Sequence, residues 1–206
     1  MKKCLLALAL ALGMQLASAP ALALDLNALP GFQHKLYANG EPLEGKPMVL
    51  RDFIELRNAR GFSKAELEDL EGKKFALNGF KDKLVMIDIW ATWCEPCIRS
   101  LPMIKALQER YNKPESAIRI VSVSVDQKKS DVESFIKRHS LEGFTTLIDP
   151  EQKIGDDAPL DVVPSVFILD GKGNLVGFVR GFVDWSDESV PAYLEALAAK
   201  YAVRKE

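Results

Sequence analysis

The chain has 206 residues, 48% of them hydrophobic and 27% charged. Those proportions suit one globular domain with a real core and exclude wholesale disorder. The formal net charge is only −2, with acids and bases interleaved along the chain and no basic face, which argues against nucleic acid as a partner.

Residues 1–23 read as a secretory signal peptide. Lys2 and Lys3 give a positive start, Leu5 to Leu16 is an almost unbroken Leu/Ala run, and Ala21-Leu22-Ala23 offers an A-x-A cleavage site. The apolar run is too short to favour a membrane span. Cleavage after Ala19 would leave Pro20 at the head of the chain, so Leu24 is the expected mature start. Cys4 precedes the apolar run and reads as a signal-peptide residue, not as a lipid anchor. Losing the two lysines takes the net charge to about −4. The expected product is exported, periplasmic or otherwise outside the cytoplasm, and soluble.

Residues 24–61 form an N-terminal extension in which Pro30, Gly31, Asn39-Gly40, Pro42, Gly45 and Pro47 read as turns and irregular structure. Within it, Met48 to Arg57 places Phe53, Ile54 and Arg57 at helical spacing and reads as a short helix. Leu43-Glu44-Gly45-Lys46 is echoed by Leu70-Glu71-Gly72-Lys73, an echo weak enough to be chance; if it is real, two similar β-hairpins are one reading.

From residue 62 to 206 strands and helices alternate. Phe75 to Leu77 reads as a short strand, and Leu84 to Trp90 is an apolar, β-branched run fit for a buried strand. A helix follows from Cys94 to about Tyr111, broken or bent by Pro102. Ile118 to Val125 is a second buried strand, with Ser122 and Ser124 alternating against valines. Asp131 to His139 is helical, with Val132, Phe135 and Ile136 on one face. Phe144 to Ile148 is a further strand. Ser165 to Leu169 and Leu175 to Val179 are strands joined through Asp170-Gly171-Lys172-Gly173, a hairpin signal. Val190 to Tyr201 closes the chain as an amphipathic helix. This order implies an α/β fold with a mixed central sheet and helices on both faces.

With Cys4 removed, the chain keeps two cysteines, Cys94 and Cys97. A disulfide across two residues constrains the unfolded chain little, so the pair is better explained by chemistry than by stapling. Thiol–disulfide exchange needs one accessible, acidic thiol and a second close by. In Trp93-Cys94-Glu95-Pro96-Cys97 the first cysteine follows a buried strand and opens a helix, where the helix's partial positive charge favours a thiolate. Cys94 is therefore assigned as the exposed nucleophile and Cys97 as the buried resolving thiol. A structural zinc site would need four ligands, against two cysteines and the distant His34 and His139, which read as surface or loop residues. No metal or other cofactor is expected.

The segment Leu84–Pro102, LVMIDIWATWCEPCIRSLP, resembles the active-site segment of the TlpA/ResA-like family of exported thioredoxin-fold oxidoreductases, which includes the cytochrome c maturation thioredoxins. The resemblance extends less tightly from about Phe62 to the C-terminus, and residues 24–61 lie outside it. It implies a thioredoxin fold with a family helix-plus-strand insertion, here Gln127 to Pro150. It places Asp88 as the buried acid beneath the resolving cysteine, a proton-transfer role weighed against a merely solvent-facing or locally bonded carboxylate. Pro102 matches the helix-kinking proline. Val163-Pro164 matches the cis-proline segment beside the disulfide, which offers backbone groups to an extended substrate; the alternative is an ordinary trans proline opening a strand. Trp93, Glu95 and Pro96 complete the expected substrate-facing set, with Trp90 read as core and Trp185 as surface packing. Two positions depart from the pattern. Ser100 stands where many relatives carry a glutamate, and Ser122 stands, as in many relatives, where plain thioredoxin keeps a lysine near its buried acid.

The resemblance further implies protein disulfides or dithiols as substrates and a membrane-embedded electron donor. Reduction of target cysteines, those of apocytochrome c among them, is the leading expectation. A disulfide donor or isomerase is the rival within the enzyme class, and a non-catalytic binding module the rival outside it. The CxxC pair speaks against that module.

Overall fold

A computed structural model of the protein describes residues 35–156, 158 and 160–203. The expected signal peptide, its Cys4, the mature start at Leu24 and His34 all lie outside the described residues.

Among the described residues nine strands form one sheet, in the order β1 (Lys35–Ala38), β2 (Ile54–Arg60), β9 (Leu175–Arg180), β8 (Ser165–Leu169), β5 (Leu84–Trp90), β6 (Ile118–Ser124), β7 (Thr146–Ile148), β3 (Glu66–Asp69) and β4 (Lys74–Ala76). At its centre stand β5 (Leu84–Trp90), β6 (Ile118–Ser124) and β8 (Ser165–Leu169). β5 is buried at every position, as an apolar run covered on both faces must be. It pairs parallel with β6, setting Asp88 beside Ser122, and antiparallel with β8, setting Ile89 beside Ser165. β9 (Leu175–Arg180) completes the hairpin with β8. The hairpin turn is held by Asp170, whose Oδ1 accepts from the Lys172 and Asn174 amides.

Among the described residues three α-helices accompany the sheet: α1 (Glu95–Tyr111), α2 (Lys129–Arg138) and α3 (Val190–Tyr201). Pro102 lies inside α1, which runs on through it to Tyr111. α2 and β7 (Thr146–Ile148) occupy the expected insertion, and β7 adds to the sheet parallel to β6. α2 buries Val132 and Phe135, and Phe135 packs on Trp90 at a ring separation of 5.6 Å. The hairpin of β3 (Glu66–Asp69) and β4 (Lys74–Ala76) then extends the sheet beyond β7. His139 is exposed and stacks on Phe135.

The extension departs from the helical reading. Met48–Leu50 is a single 3-10 turn, and Ile54–Arg60 is a strand, β2. β2 pairs with β9 (Ile54 with Phe178, Glu55 with Gly177) and with β1 (Lys35–Ala38). Partners distant in sequence override the local spacing. Phe53 is buried and meets the Tyr193 ring of α3 edge-on at 6.1 Å. Glu55 accepts from the Leu43 amide at 2.8 Å and from Lys200 Nζ and Tyr201 Oη of α3 at 2.5 Å each. The described part of the extension is thus bound into the same sheet and core. The sequence echo does not give two like hairpins: Leu70–Lys73 lies at the β3–β4 turn, whereas Leu43–Lys46 lies in the long connection from β1 to β2. Trp185, expected at the surface, is only 5% exposed and belongs to the core.

Candidate active site

β5 delivers the chain to the end of the sheet and α1 begins just beyond it. Cys94 is the N-cap of α1, with extended backbone (φ −93°, ψ 99°), and its Sγ accepts from the Cys97 amide at 3.3 Å. Pro96 sits in the first turn, where a missing N–H costs nothing. Cys94 and Cys97 form a disulfide, with Cα atoms 5.2 Å apart. Neither is open in this oxidised state: Cys94 is 5% exposed and Cys97 fully buried. The expectation of a plainly exposed nucleophile is corrected to a slight asymmetry in the same sense. The large exposed group is Trp93, at 69%. Glu95 is exposed and Pro96 half-buried.

The loop between β5 and α1 is pinned from β6. Asp126, which nothing in the sequence singled out, accepts from the Thr92 amide (2.9 Å), the Thr92 hydroxyl (2.7 Å) and the Ser124 hydroxyl (2.7 Å). The Val125 amide also donates to the Trp90 carbonyl at 3.0 Å. The one available signal was an acid just past a buried strand that ends in serine.

Asp88 is 1% exposed. Ser122 donates to its Oδ2 at 3.1 Å, while Oδ1 has no hydrogen-bond partner among the described residues. Burial raises its pKa from 3.8 to about 7, against the smaller opposing effect of the Ser122 hydroxyl. A carboxyl poised near neutrality can hold or release a proton at working pH. Ser100 donates to the Cys97 carbonyl at 2.8 Å, a bond within the helix that leaves the glutamate of relatives without a counterpart here.

The Val163–Pro164 peptide bond is cis. The pairing of Ile89 with Ser165 puts Pro164 level with Trp90, at the sheet end from which the cysteine loop departs. The Pro164 carbonyl accepts from the Gly181 amide at 2.8 Å, and Ser165 Oγ donates to the Val162 carbonyl at 2.6 Å. Beyond Gly181, Phe182 is 41% exposed, and the Arg99 guanidinium of α1 lies 4.7 Å from its ring. Both cysteines, their loop and the proline segment therefore share one end of the sheet. Among the described residues, no group of three or more His, Cys, Asp or Glu is placed to hold a metal ion.

A thioredoxin-like family model matches residues 82–175, which spans the cysteine pair and Pro164. The thiol-disulfide oxidoreductase ResA of Bacillus cereus is 31% identical over 129 residues, covering 63% of this chain and 72% of that protein. The chain belongs to the ResA-like thiol–disulfide oxidoreductases. ResA of Bacillus subtilis (strain 168) is 32% identical over 115 residues, 56% of this chain and 63% of its own length. Among solved structures, one from Chlorobium tepidum described as a thiol:disulfide interchange protein DsbE has a TM-score of 0.52. It is 27% identical and covers 68% of this chain and 93% of its own. A secreted thiol-disulfide isomerase of Corynebacterium glutamicum shares the fold, with a TM-score of 0.58 at 15% identity, over 81% of this chain and 98% of its own.

The residues supply the exchange reaction that this membership names. One thiolate of the Cys94–Cys97 pair attacks a substrate disulfide, and one substrate sulfur leaves with the electron pair. The other thiol of the pair, once deprotonated, attacks the first, releases the second substrate sulfur and closes the Cys94–Cys97 disulfide.

Proposed function

We propose that this oxidoreductase is exported and works as a reductant of disulfides in extracytoplasmic proteins, apocytochrome c among them, with electrons drawn from a membrane-embedded donor. The observation that carries the reading is the Cys94–Cys97 pair at the N-terminus of α1, together with a buried carboxyl, Asp88, raised to about 7. A helix N-terminus stabilises the attacking thiolate, and a neutral-range carboxyl suits the proton that Cys97 must give up. Asp88 is assigned that proton, and Trp93, Glu95, Pro96, Val163 and Pro164 the substrate-facing surface. The signal-peptide features of residues 1–23 support export. Among the described residues no helix is long and apolar enough to cross a membrane.

The deciding measurement is the reduction potential of the Cys94–Cys97 couple, equilibrated against glutathione or dithiothreitol. A reductant should lie well below roughly −200 mV; a value near about −120 mV would assign the protein to disulfide donation instead. Replacement of Cys97 with serine should trap mixed disulfides through Cys94, and their partners identify the substrates.

A further inference from the structure

Two buried side-chain polar atoms have no hydrogen-bond partner among the described residues, and only one of them, Asp88 Oδ1, is at the cysteine site. The other is Nε of Arg119 on β6. A buried N–H left unbonded in a folded protein is costly and calls for an explanation. The Arg119 guanidinium stands 5.3 Å from the centre of the Phe80 ring, with no carboxylate paired to it among the described residues. Burial lowers its pKa, as expected for a cation whose charge is uncompensated.

Arg119 lines a cavity of about 180 Å³ between β6–β7 and the β3–β4 hairpin. Phe75, Phe80, Phe144 and Leu147 supply apolar walls, and Ser122, the partner of Asp88, contributes to the lining. Lys73 Nζ lies 5.0 Å from the centre of the Phe75 ring, so a second cation borders the same aromatic wall. Of the acids at the rim, Asp69 is engaged through Oδ1 by the Glu71 and Lys73 amides, and Glu71 is exposed. The cavity thus joins an aromatic interior to a half-buried guanidinium whose Nε finds no hydrogen-bond partner among the described residues.

We propose that this cavity is a binding site for a small monocarboxylate with an aryl body, the ring lying among Phe75, Phe80 and Phe144 and the carboxylate paired with Arg119. The chemistry of each wall selects one part of that ligand. Aromatic rings take an aryl group by offset or edge contact. A guanidinium takes a carboxylate through paired charge-assisted hydrogen bonds.

The probe is 3-phenylpropionate, titrated into the oxidised protein and followed by amide chemical shifts, with 3-phenylpropan-1-ol and acetate as controls. Shifts should cluster on residues 119–122 and 144–147, and the acid should bind at least about tenfold more tightly than either control. Arg119→Gln should lose that advantage while the far-UV spectrum stays unchanged. Equal binding of acid and alcohol, shifts that map elsewhere, or no binding in the millimolar range would each overturn the proposal. The acid–alcohol comparison on the unmutated protein stands even if the variant fails to fold.

Discussion

Ser122 and Asp88 stand side by side on neighbouring strands, and the Ser122 hydroxyl satisfies only one of the two carboxyl oxygens. Two residues along β6 the motif recurs with the opposite outcome. Ser124 donates to Asp126, which gathers two further bonds from Thr92 and shows no orphaned oxygen. One buried acid is held as a structural acceptor. The other is left under-bonded in a low-dielectric site, which favours its neutral form.

That difference has a pH signature. Asp88 titrates near 7 when folded and near 4 when unfolded, so the native state binds its proton more tightly. Its contribution to stability is complete below about pH 4 and is lost as pH rises through about 7, a decline of about 4 kcal/mol. Asp88→Asn, which cannot ionise, should therefore gain on the wild type as pH rises. Denaturant unfolding of the oxidised proteins should give a difference at pH 8 several kcal/mol more favourable to the variant than at pH 4. A pH-independent difference would show that Asp88 is not neutral in the fold. Resolution by Cys97 should slow in the same variant, read as longer-lived mixed disulfide.

The two thiols should differ in the reduced protein. Cys94 caps α1 and keeps the slight exposure that Cys97 lacks. The helix end favours the thiolate form of Cys94 in the reduced protein. Iodoacetamide at pH 7 should therefore label Cys94 first, read by peptide mass. Predominant labelling of Cys97 would reverse the two roles.

Much of this was legible in the chain because the informative signals are local. The apolar run of β5, the cysteine spacing and the Asp-Gly-Lys-Gly hairpin each depend on a few adjacent residues. What was missed depends on partners far away. Phe53, Ile54 and Arg57 fit a helix until β9 is present to pair with Ile54 and Glu55. Trp185 lies in the connection after β9, and only the folded core shows that it is buried. Asp126 is one acid among 29 until its oxygens are seen on Thr92, 34 positions earlier. Ser122 read as one position of an alternating pattern, whereas β6 from Val121 to Ser124 is buried on both faces and its serines are paired with acids.

Asp126→Ala tests whether the cysteine loop needs its anchor. The substitution strands the Thr92 amide and hydroxyl and the Ser124 hydroxyl, at a cost of about 3 kcal/mol, with Ser124 and Thr92 free to rotate toward water limiting the loss. Exchange with a protein disulfide should fall about tenfold in the folded variant, since Trp93 and Cys94 follow directly on the released residue. The reduction potential should also move, a change that a purely global destabilisation would not bring. Unaltered exchange and potential in a folded Asp126→Ala protein would show that the cysteine loop holds its working geometry without this anchor.

Trp93 supplies the last test, because its exposure separates function from folding. An indole left 69% open contributes little to the core, and its removal by Trp93→Ala should change stability by no more than about 0.5 kcal/mol. The same ring is the largest apolar group beside Cys94, and aromatic side chains of this kind commonly anchor a partner. In the proposed substrate-facing role of Trp93, a protein disulfide lays a chain segment across the ring, whereas a small disulfide reaches the sulfur without doing so. The rate of reduction of a protein substrate such as insulin should therefore fall at least about fivefold, while that of a small aromatic-free disulfide stays within about twofold. Stopped-flow rates for both substrates on one preparation make the comparison internal. Equal losses would place Trp93 in the chemistry of the Cys94 thiol, and no loss toward insulin would leave it a bystander at the rim.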